Sequence, residues 1–180
     1  MSKSVISRFY HHLRTVQQHR KAVRHNCFKC GLYKQGLVHD LSKYSPSEFI
    51  PSVRYFQGTR SPYAYEKELY GYSTGWLHHK GRNRHHWEYW YDMIGGTFAP
   101  IEMPKKYLIE MLCDRIAACK VYQKDKYTNE SALNYFLEKP DKQYMHENTS
   151  KQLELYLRAI AKDGEEKTFA SIKNDLKNNK

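Results

Sequence analysis

The chain has 180 residues, 40% of them hydrophobic, and its 30 lysines and arginines outnumber 19 aspartates and glutamates, for a formal net charge of +11. This length predicts one domain over residues 1–180 with a core of its own. No run of about 18 apolar residues occurs, which argues against a membrane partner, and the first residues lack the pattern of a secretory signal. Four cysteines do not make a disulfide scaffold, so we expect a cytoplasmic location.

The positive charge is compatible with nucleic acid or another polyanion as a partner. Lysine and arginine are scattered from Lys3 to Lys180, however, and they form no dense block. An enzyme that acts on phosphorylated substrates explains this balance equally well. The composition therefore leaves both classes open.

The first part of the chain predicts three helices. Residues 4–30 form a long amphipathic pattern, because apolar side chains recur at helical spacing and a glycine follows as a stop. A second, shorter helix is expected from about Leu32 into the segment LVHDLSK. Ser45 and Pro46 then open a third helix, with Glu48 placed to reach back to its cap.

In the middle of the chain, segments rich in Gly, Ser and Pro alternate with segments whose apolar residues recur at helical spacing. Residues 57–75 are rich in Gly, Ser and Pro and predict an irregular surface segment. Residues 74–94 predict two short helices broken at Gly81, residues 95–104 predict a loop, and residues 105–123 predict a strong helix. Three further helices are expected in TNESALNYFLEK, TSKQLELYLRAIAKDG and EEKTFASIKNDLKNNK. Several of these nine segments are short, and the whole pattern predicts an all-α domain of about six or seven helices.

His39 and Asp40 are adjacent in the stretch GLVHDLSKYSPSEF, and Lys43 follows three residues further on. Neutral imidazole and carboxylate are two common types of metal ligand. The simpler interpretation is a helix start, with Asp40 or Ser42 as the cap and Lys43 in solvent. The motif alone leaves both interpretations open.

Two other polar residues lie on apolar helix faces. His19 shares the helical phase of Val16 and Val23, where a histidine is more often a hydrogen-bonded core residue than a ligand. Asp114 is flanked at helical spacing by apolar residues such as Ala117, and a carboxylate in such surroundings is costly to bury without a partner. A salt bridge would satisfy it, and a metal ion would satisfy it better.

Four histidines form two pairs, seven residues apart, around a loop break in HHKGRNRHH: His78, His79, His85 and His86. We expect at least one of them to bind a metal ion, because imidazole so often serves as a ligand. The others would support the ligands or stack on nearby tryptophans.

The cysteines do not predict a zinc site. Cys27 and Cys30 form a CxxC motif, but Cys113 and Cys119 are too far apart to form a matching pair. Packing at helical spacing is therefore favoured over a site of four cysteines.

The order of these residues, a histidine, a His-Asp pair, further histidines and a lone aspartate, resembles the HD superfamily of metal-dependent phosphohydrolases. The resemblance implies a single HD-like helical bundle in which separate helices supply the ligands of one or two divalent ions, with Mn, Mg, Fe, Zn and Co not distinguished. The implied ligands of one site are His19, His39, Asp40 and Asp114. For a second metal the preferred ligands are His79 and His86, with His78 and His85 as the alternatives.

A closer resemblance is to a group of small bacterial and phage HD-like proteins that carry the motifs HDLSK and HHxxRNxHHWEYW. It covers about residues 17–120 and implies no particular substrate. The chain lacks the glycine-tyrosine-proline signature of enzymes that cleave cyclic dinucleotides, which argues against that substrate.

The chemistry of such a site suggests a role for each group. Asp40 would bridge neighbouring metals, and a water whose pKa is lowered by the cation would be the nucleophile. Lys43 would neutralise a phosphate oxygen in the transition state, or else lie in solvent. Arg82 and Arg84 are candidates for binding phosphate, against an ordinary surface role.

We therefore expect a metal-dependent phosphohydrolase that acts on a small phosphate ester, with a nucleotide as the favoured substrate. An HD-type di-iron oxygenase is the first alternative, because that branch of the superfamily uses a similar ligand set. A non-catalytic, basic, metal-stabilised domain that binds nucleic acid or serves as an adaptor is the second. The sequence leaves the oligomeric state open.

Overall fold

The structure, a computed structural model, describes residues 4–178, so the first three and last two residues of the predicted domain lie outside it. The described chain is predominantly α-helical, which confirms the predicted class, although it has nine α-helices where six or seven were expected. Along residues 4–178 they are α1 (Val5–Lys29), α2 (Tyr33–Val38), α3 (Pro46–Tyr55), α4 (Pro62–Tyr70), α5 (Thr74–Arg82), α6 (Lys105–Gln123), α7 (Ser131–Glu138), α8 (Glu147–Asp163) and α9 (Glu165–Asn178).

The main core lies between the apolar faces of α1, α6, α8 and α9, which pack against one another. Val23, Leu112, Leu153 and Phe169 are fully buried there. Helices α3, α4 and α5 pack together beside α1. None of the helices in residues 4–178 is long and apolar enough to cross a bilayer.

The prediction that residues 57–75 form an irregular segment is wrong, because they contain α4. Pro62 occupies the first turn of this helix, where its missing N–H is no loss. Gly71 ends the helix with φ 79, a left-handed conformation that glycine adopts without strain. Pro62 and Gly71 therefore mark the two ends of a helix and not a loop.

The helix break predicted at Gly81 is confirmed to within one residue, because α5 ends at Arg82. The second short helix expected after it is only a 3₁₀ turn, Trp87–Tyr89. Asn83 is the C-cap of α5, and its side-chain amide donates a hydrogen bond of 2.8 Å to the carbonyl oxygen of His79. This cap ends α5 and turns the chain back towards the interior.

A small antiparallel hairpin follows, formed by β1 (Tyr91–Ile94) and β2 (Thr97–Pro100). Its second strand lies in the stretch predicted as a loop. Gly95 and Gly96 connect the strands with φ 57 and φ 83, and a two-residue hairpin turn with positive φ at both positions favours glycine.

The second predicted helix does not continue through the His-Asp pair. Helix α2 ends at Val38, and Asp40 has φ 54 before the 3₁₀ turn Leu41–Tyr44. This left-handed conformation costs a residue other than glycine on the order of 1–3 kcal/mol, although aspartate adopts it more readily than most. The bend directs both His39 and Asp40 into the interior, where each is 1% exposed.

Gly75 allows α5 to lie close to α4. A Cβ atom at this position would be 2.8 Å from a ring carbon of Tyr63, which is itself buried. We expect Gly75→Ala to lower the free energy of unfolding by about 1–3 kcal/mol in urea denaturation, because the added methyl group would clash with this buried ring. Gly81→Ala is the matched control in the same helix: no atom lies within 4 Å of its added Cβ, so helix propensity should stabilise it by about 0.5–1 kcal/mol. Equal stability of the two variants would contradict this packing.

Candidate metal centre

The first ligand group, called group 1, consists of His19, His39, Asp40 and Asp114. The Nε2 atom of His19 lies 2.9 Å from Oδ1 of Asp114 and 3.6 Å from Oδ2 of Asp40. The Nε2 atom of His39 lies 3.5 Å and 3.3 Å from the same two oxygens. Because α1 carries His19, α6 carries Asp114 and these helices pack together, the core itself holds the two sides of the group in place.

Group 2 consists of Asp40, His79, His85 and His86. The Nε2 atoms of His79 and His85 each lie 3.4 Å from Oδ1 of Asp40. His79 is near the end of α5, and the other two histidines follow in the turn after the cap. All four ligand atoms lie within 4.8 Å of one another.

Asp40 belongs to both groups through different atoms. Its Oδ2 faces the histidines of group 1, and its Oδ1 faces those of group 2. The Nζ atom of Lys43 lies 2.8 Å from Oδ2. The two oxygens of Asp40 therefore face different groups, and its role as a bridge between metals stays a prediction.

The polar atoms at the centre form few hydrogen bonds with one another, and their positions suit the binding of a divalent cation. Several are buried without an aligned hydrogen bond, although buried polar atoms normally have one: Nε2 of His19, His39, His85 and His86, and both carboxylate oxygens of Asp40. Two atoms that bind one ion at about 2.1 Å lie about 3–3.4 Å apart at tetrahedral or octahedral angles. The distances of 2.9–3.6 Å in group 1, and of 3.4 Å from Asp40 to His79 and His85 in group 2, are close to that range. Each group could therefore hold one ion.

The charge of group 1 also favours a cation. Burial alone would raise the pKa of Asp40, but His39 and Lys43 beside it hold that pKa well below its usual value. Burial alone would lower the pKa of His39, but Asp40 and Asp114 raise it well above the usual value. The same carboxylates that favour a proton on His39 favour a divalent ion in its place, because either one neutralises them.

The histidines of group 2 are suited to bind as neutral ligands. Burial lowers the pKa of His79, and burial together with His85 lowers the pKa of His86 well below its usual value. A neutral imidazole keeps a lone pair for a metal. Burial alone would lower the pKa of Lys43, but Asp40 raises it, so the ammonium group stays charged beside the centre.

Only one member of the first histidine pair belongs to a ligand group, whereas both members of the second pair do. His79 lies in group 2, and so do both His85 and His86. His78 lies outside both groups, because its Nδ1 is 2.8 Å from Glu48 and its Nε2 accepts a hydrogen bond of 2.9 Å from Arg82. With both ring nitrogens engaged, His78 is a poor ligand.

The two arginines proposed for phosphate have other partners. Arg82 donates to His78 and is otherwise exposed. Arg84 donates to the hydroxyl of Tyr107 at 3.2 Å, and its guanidinium lies 5.7 Å from the ring centroid of Tyr89. Their role in binding phosphate stays a prediction, whereas Lys43 lies directly at the centre.

Two glutamates next to the ligands were missed in the sequence. Glu48 was expected to cap α3, but its side chain is fully buried and accepts hydrogen bonds from His78 and His79. Glu110 on α6 accepts a hydrogen bond from His39. Glu110 precedes Asp114 by one helical turn, so it shares the face of α6 that carries the ligand, and this spacing was a usable signal.

The cysteines lie apart from the ligands. All four are buried and free, and Sγ of Cys30 lies 3.9 Å from Sγ of Cys113. Within residues 4–178, none of the possible metal-binding groups includes a cysteine. This arrangement fits the predicted role in core packing.

Fold and site together define the class: a predominantly helical protein with groups of buried histidine and carboxylate side chains that could bind metal ions. The chain belongs to DUF5662, a family of unknown function, which matches residues 8–159. No curated protein and no solved structure matches the chain. The matched range contains every residue of groups 1 and 2.

Proposed function

We propose that this protein is a metal-dependent hydrolase of phosphate esters, of the HD type that its residue order resembles. The observation that carries the proposal is the position of Asp40, whose two oxygens face two separate groups of histidines. Group 1 would hold one divalent ion and group 2 a second. Bound ions would supply Lewis acidity and a water of lowered pKa.

An open side of the centre suits an anionic substrate. The side chains of Lys43 and of the candidate ligand Asp114 are 21% and 18% exposed. Four other candidate ligands are almost completely buried: His39, Asp40, His79 and His85. A substrate would therefore approach beside the ammonium group of Lys43. A fixed positive charge at that place stabilises negative charge that develops on a phosphate oxygen.

The charge of the whole chain supports the same substrate class. A formal net charge of +11 favours the approach of anionic molecules, and a nucleotide is the substrate that we propose. Buried free cysteines suit a reducing compartment, so a cytoplasmic location is part of the proposal.

An anaerobic metal series tests the proposal. Chelator-treated protein is loaded with Mn²⁺, Mg²⁺, Fe²⁺, Zn²⁺ or Co²⁺, and phosphate release is measured on nucleotides and model phosphoesters. We expect release without oxygen with at least one of these ions, because hydrolysis needs no electron transfer. Activity only with iron and dioxygen, and without phosphate release, would instead identify an HD-type oxygenase. Bound metal with neither activity would identify a metal-stabilised adaptor or nucleic-acid-binding domain.

A further inference from the structure

Glu110 touches one histidine of each ligand group. Its Oε1 accepts a hydrogen bond of 2.9 Å from Nδ1 of His39, which belongs to group 1. The same oxygen lies 3.2 Å from Nδ1 of His85, which belongs to group 2. The carboxyl group is 7% exposed, so water competes little for these contacts.

Glu48 touches a histidine of group 2 only. Its Oε2 accepts a hydrogen bond of 2.7 Å from Nδ1 of His79. Its other oxygen is 2.8 Å from Nδ1 of His78, which lies outside both groups. The two glutamates thus differ in the number of groups that they reach.

A carboxylate at Nδ1 determines what the opposite nitrogen can do. An ionised carboxylate only accepts hydrogen bonds, so the Nδ1 atom facing it carries a proton. In the neutral imidazole that binds a metal, Nε2 then keeps the lone pair. The Nε2 atoms of His39, His79 and His85 are the ones that face Asp40. Partners of this kind fix the tautomer and the ring orientation of metal-binding histidines.

We infer that Glu110 and Glu48 are positioning residues with different reach: Glu110 prepares both metal positions and links them, whereas Glu48 prepares the position in group 2 alone. The inference rests on the metal centre of the proposed function. It predicts that loss of Glu110 weakens the binding of two ions, and that loss of Glu48 weakens the binding of one.

Replacement by methionine keeps the length of the side chain and removes the acceptor. Chelator-treated wild type, Glu110→Met and Glu48→Met are titrated with Mn²⁺, and bound metal per chain is measured after dialysis. We expect two ions in the wild type, an increase of about 10- to 100-fold in both dissociation constants for Glu110→Met, and an increase of similar size in only one for Glu48→Met.

Glu165→Met is the matched control. Glu165 forms a partly buried ion pair of 2.6 Å with Lys120 and touches no histidine of either group. Circular dichroism checks that each variant is folded. We expect Glu165→Met to bind two ions with unchanged affinity although it also loses a buried charge.

Glu110→Gln distinguishes a positioning role of Glu110 from a role as a metal ligand. It also replaces Glu110→Met in the test if that variant does not fold. A single amide oxygen can accept from both imidazoles, as Oε1 does in the structure, so we expect this variant to retain most of the binding. A loss as large as in Glu110→Met would mean that the carboxylate is itself a ligand. Three ions per wild-type chain would mean the same, because Glu110, His39 and His85 would then form a third group.

Two outcomes separate this inference from the proposed function. Equal losses of metal in Glu110→Met and Glu48→Met, in a protein that hydrolyses phosphoesters, would overturn the inference alone. The predicted difference between the two variants, in a protein that hydrolyses none, would support the inference and overturn the proposed function.

Discussion

Asp40→Asn is expected to leave the chain with at most one bound ion and to lower turnover by more than about 100-fold, beyond the usual effect of losing a residue that only supports a ligand. Asparagine has nearly the same size but offers one neutral oxygen where aspartate offers two anionic ones. In the structure each oxygen faces a different ligand group, so a single oxygen cannot serve both. Metal content after dialysis against Mn²⁺ and phosphate release measure the two effects.

Two further substitutions make that result specific. Asp114→Asn removes an anionic ligand from group 1 alone, so we expect one ion to bind more weakly while the other is retained. Asp92→Asn makes the same change on the exposed β1 strand and should leave both ions bound. If Asp40→Asn still binds two ions, Asp40 is not the shared ligand.

Long helices were predictable because each buries one continuous face. The apolar spacing of residues 4–30 and 105–123 corresponds to α1 and α6, which pack together in the core. Helix α4 was missed because its proline and glycine mark helix ends and loops alike. The hairpin was missed because four-residue strands give too short an alternation to distinguish from a loop.

The types and the order of the candidate ligands could be predicted from the sequence, but the orientation of each side chain could not. Which histidine of a pair faces the centre depends on the path of the backbone, because neighbouring side chains point in different directions. His78 and His79 both contact Glu48, yet only His79 also reaches Asp40. The contact with Glu48 arises from the packing of α3 on α5, which no local pattern encodes.

The His-Asp turn combines features that destabilise the fold. Asp40 adopts a left-handed backbone, and both its oxygens are buried without an aligned hydrogen bond. Such features persist when the surrounding structure determines them, and they concentrate at functional sites. Here α2, which precedes the turn, packs on α1, and Arg20 of α1 donates a hydrogen bond of 2.8 Å to the carbonyl of His39. We interpret these contacts as what offsets the cost of the turn.

Lys43→Ala is expected to lower the turnover of phosphoesters by about 100- to 1000-fold, the usual effect of removing one group that stabilises transition-state charge, while both ions stay bound. The ammonium group lies 2.8 Å from Oδ2 of Asp40 and is not a ligand. Its removal leaves more negative charge on Asp40 for a cation to neutralise, so metal affinity should be equal or higher. Turnover with saturating Mn²⁺ and metal content per chain are measured on the same sample.

Lys34→Ala is the matched control for this prediction, because Lys34 is an exposed lysine on the neighbouring α2 helix. It removes the same charge from the chain, so any effect of net charge on the approach of an anionic substrate appears in both variants. We expect Lys34→Ala to keep nearly all of the activity. A loss of metal in Lys43→Ala as large as in Asp40→Asn would show that Lys43 holds the bridging carboxylate in place and does not act on the substrate.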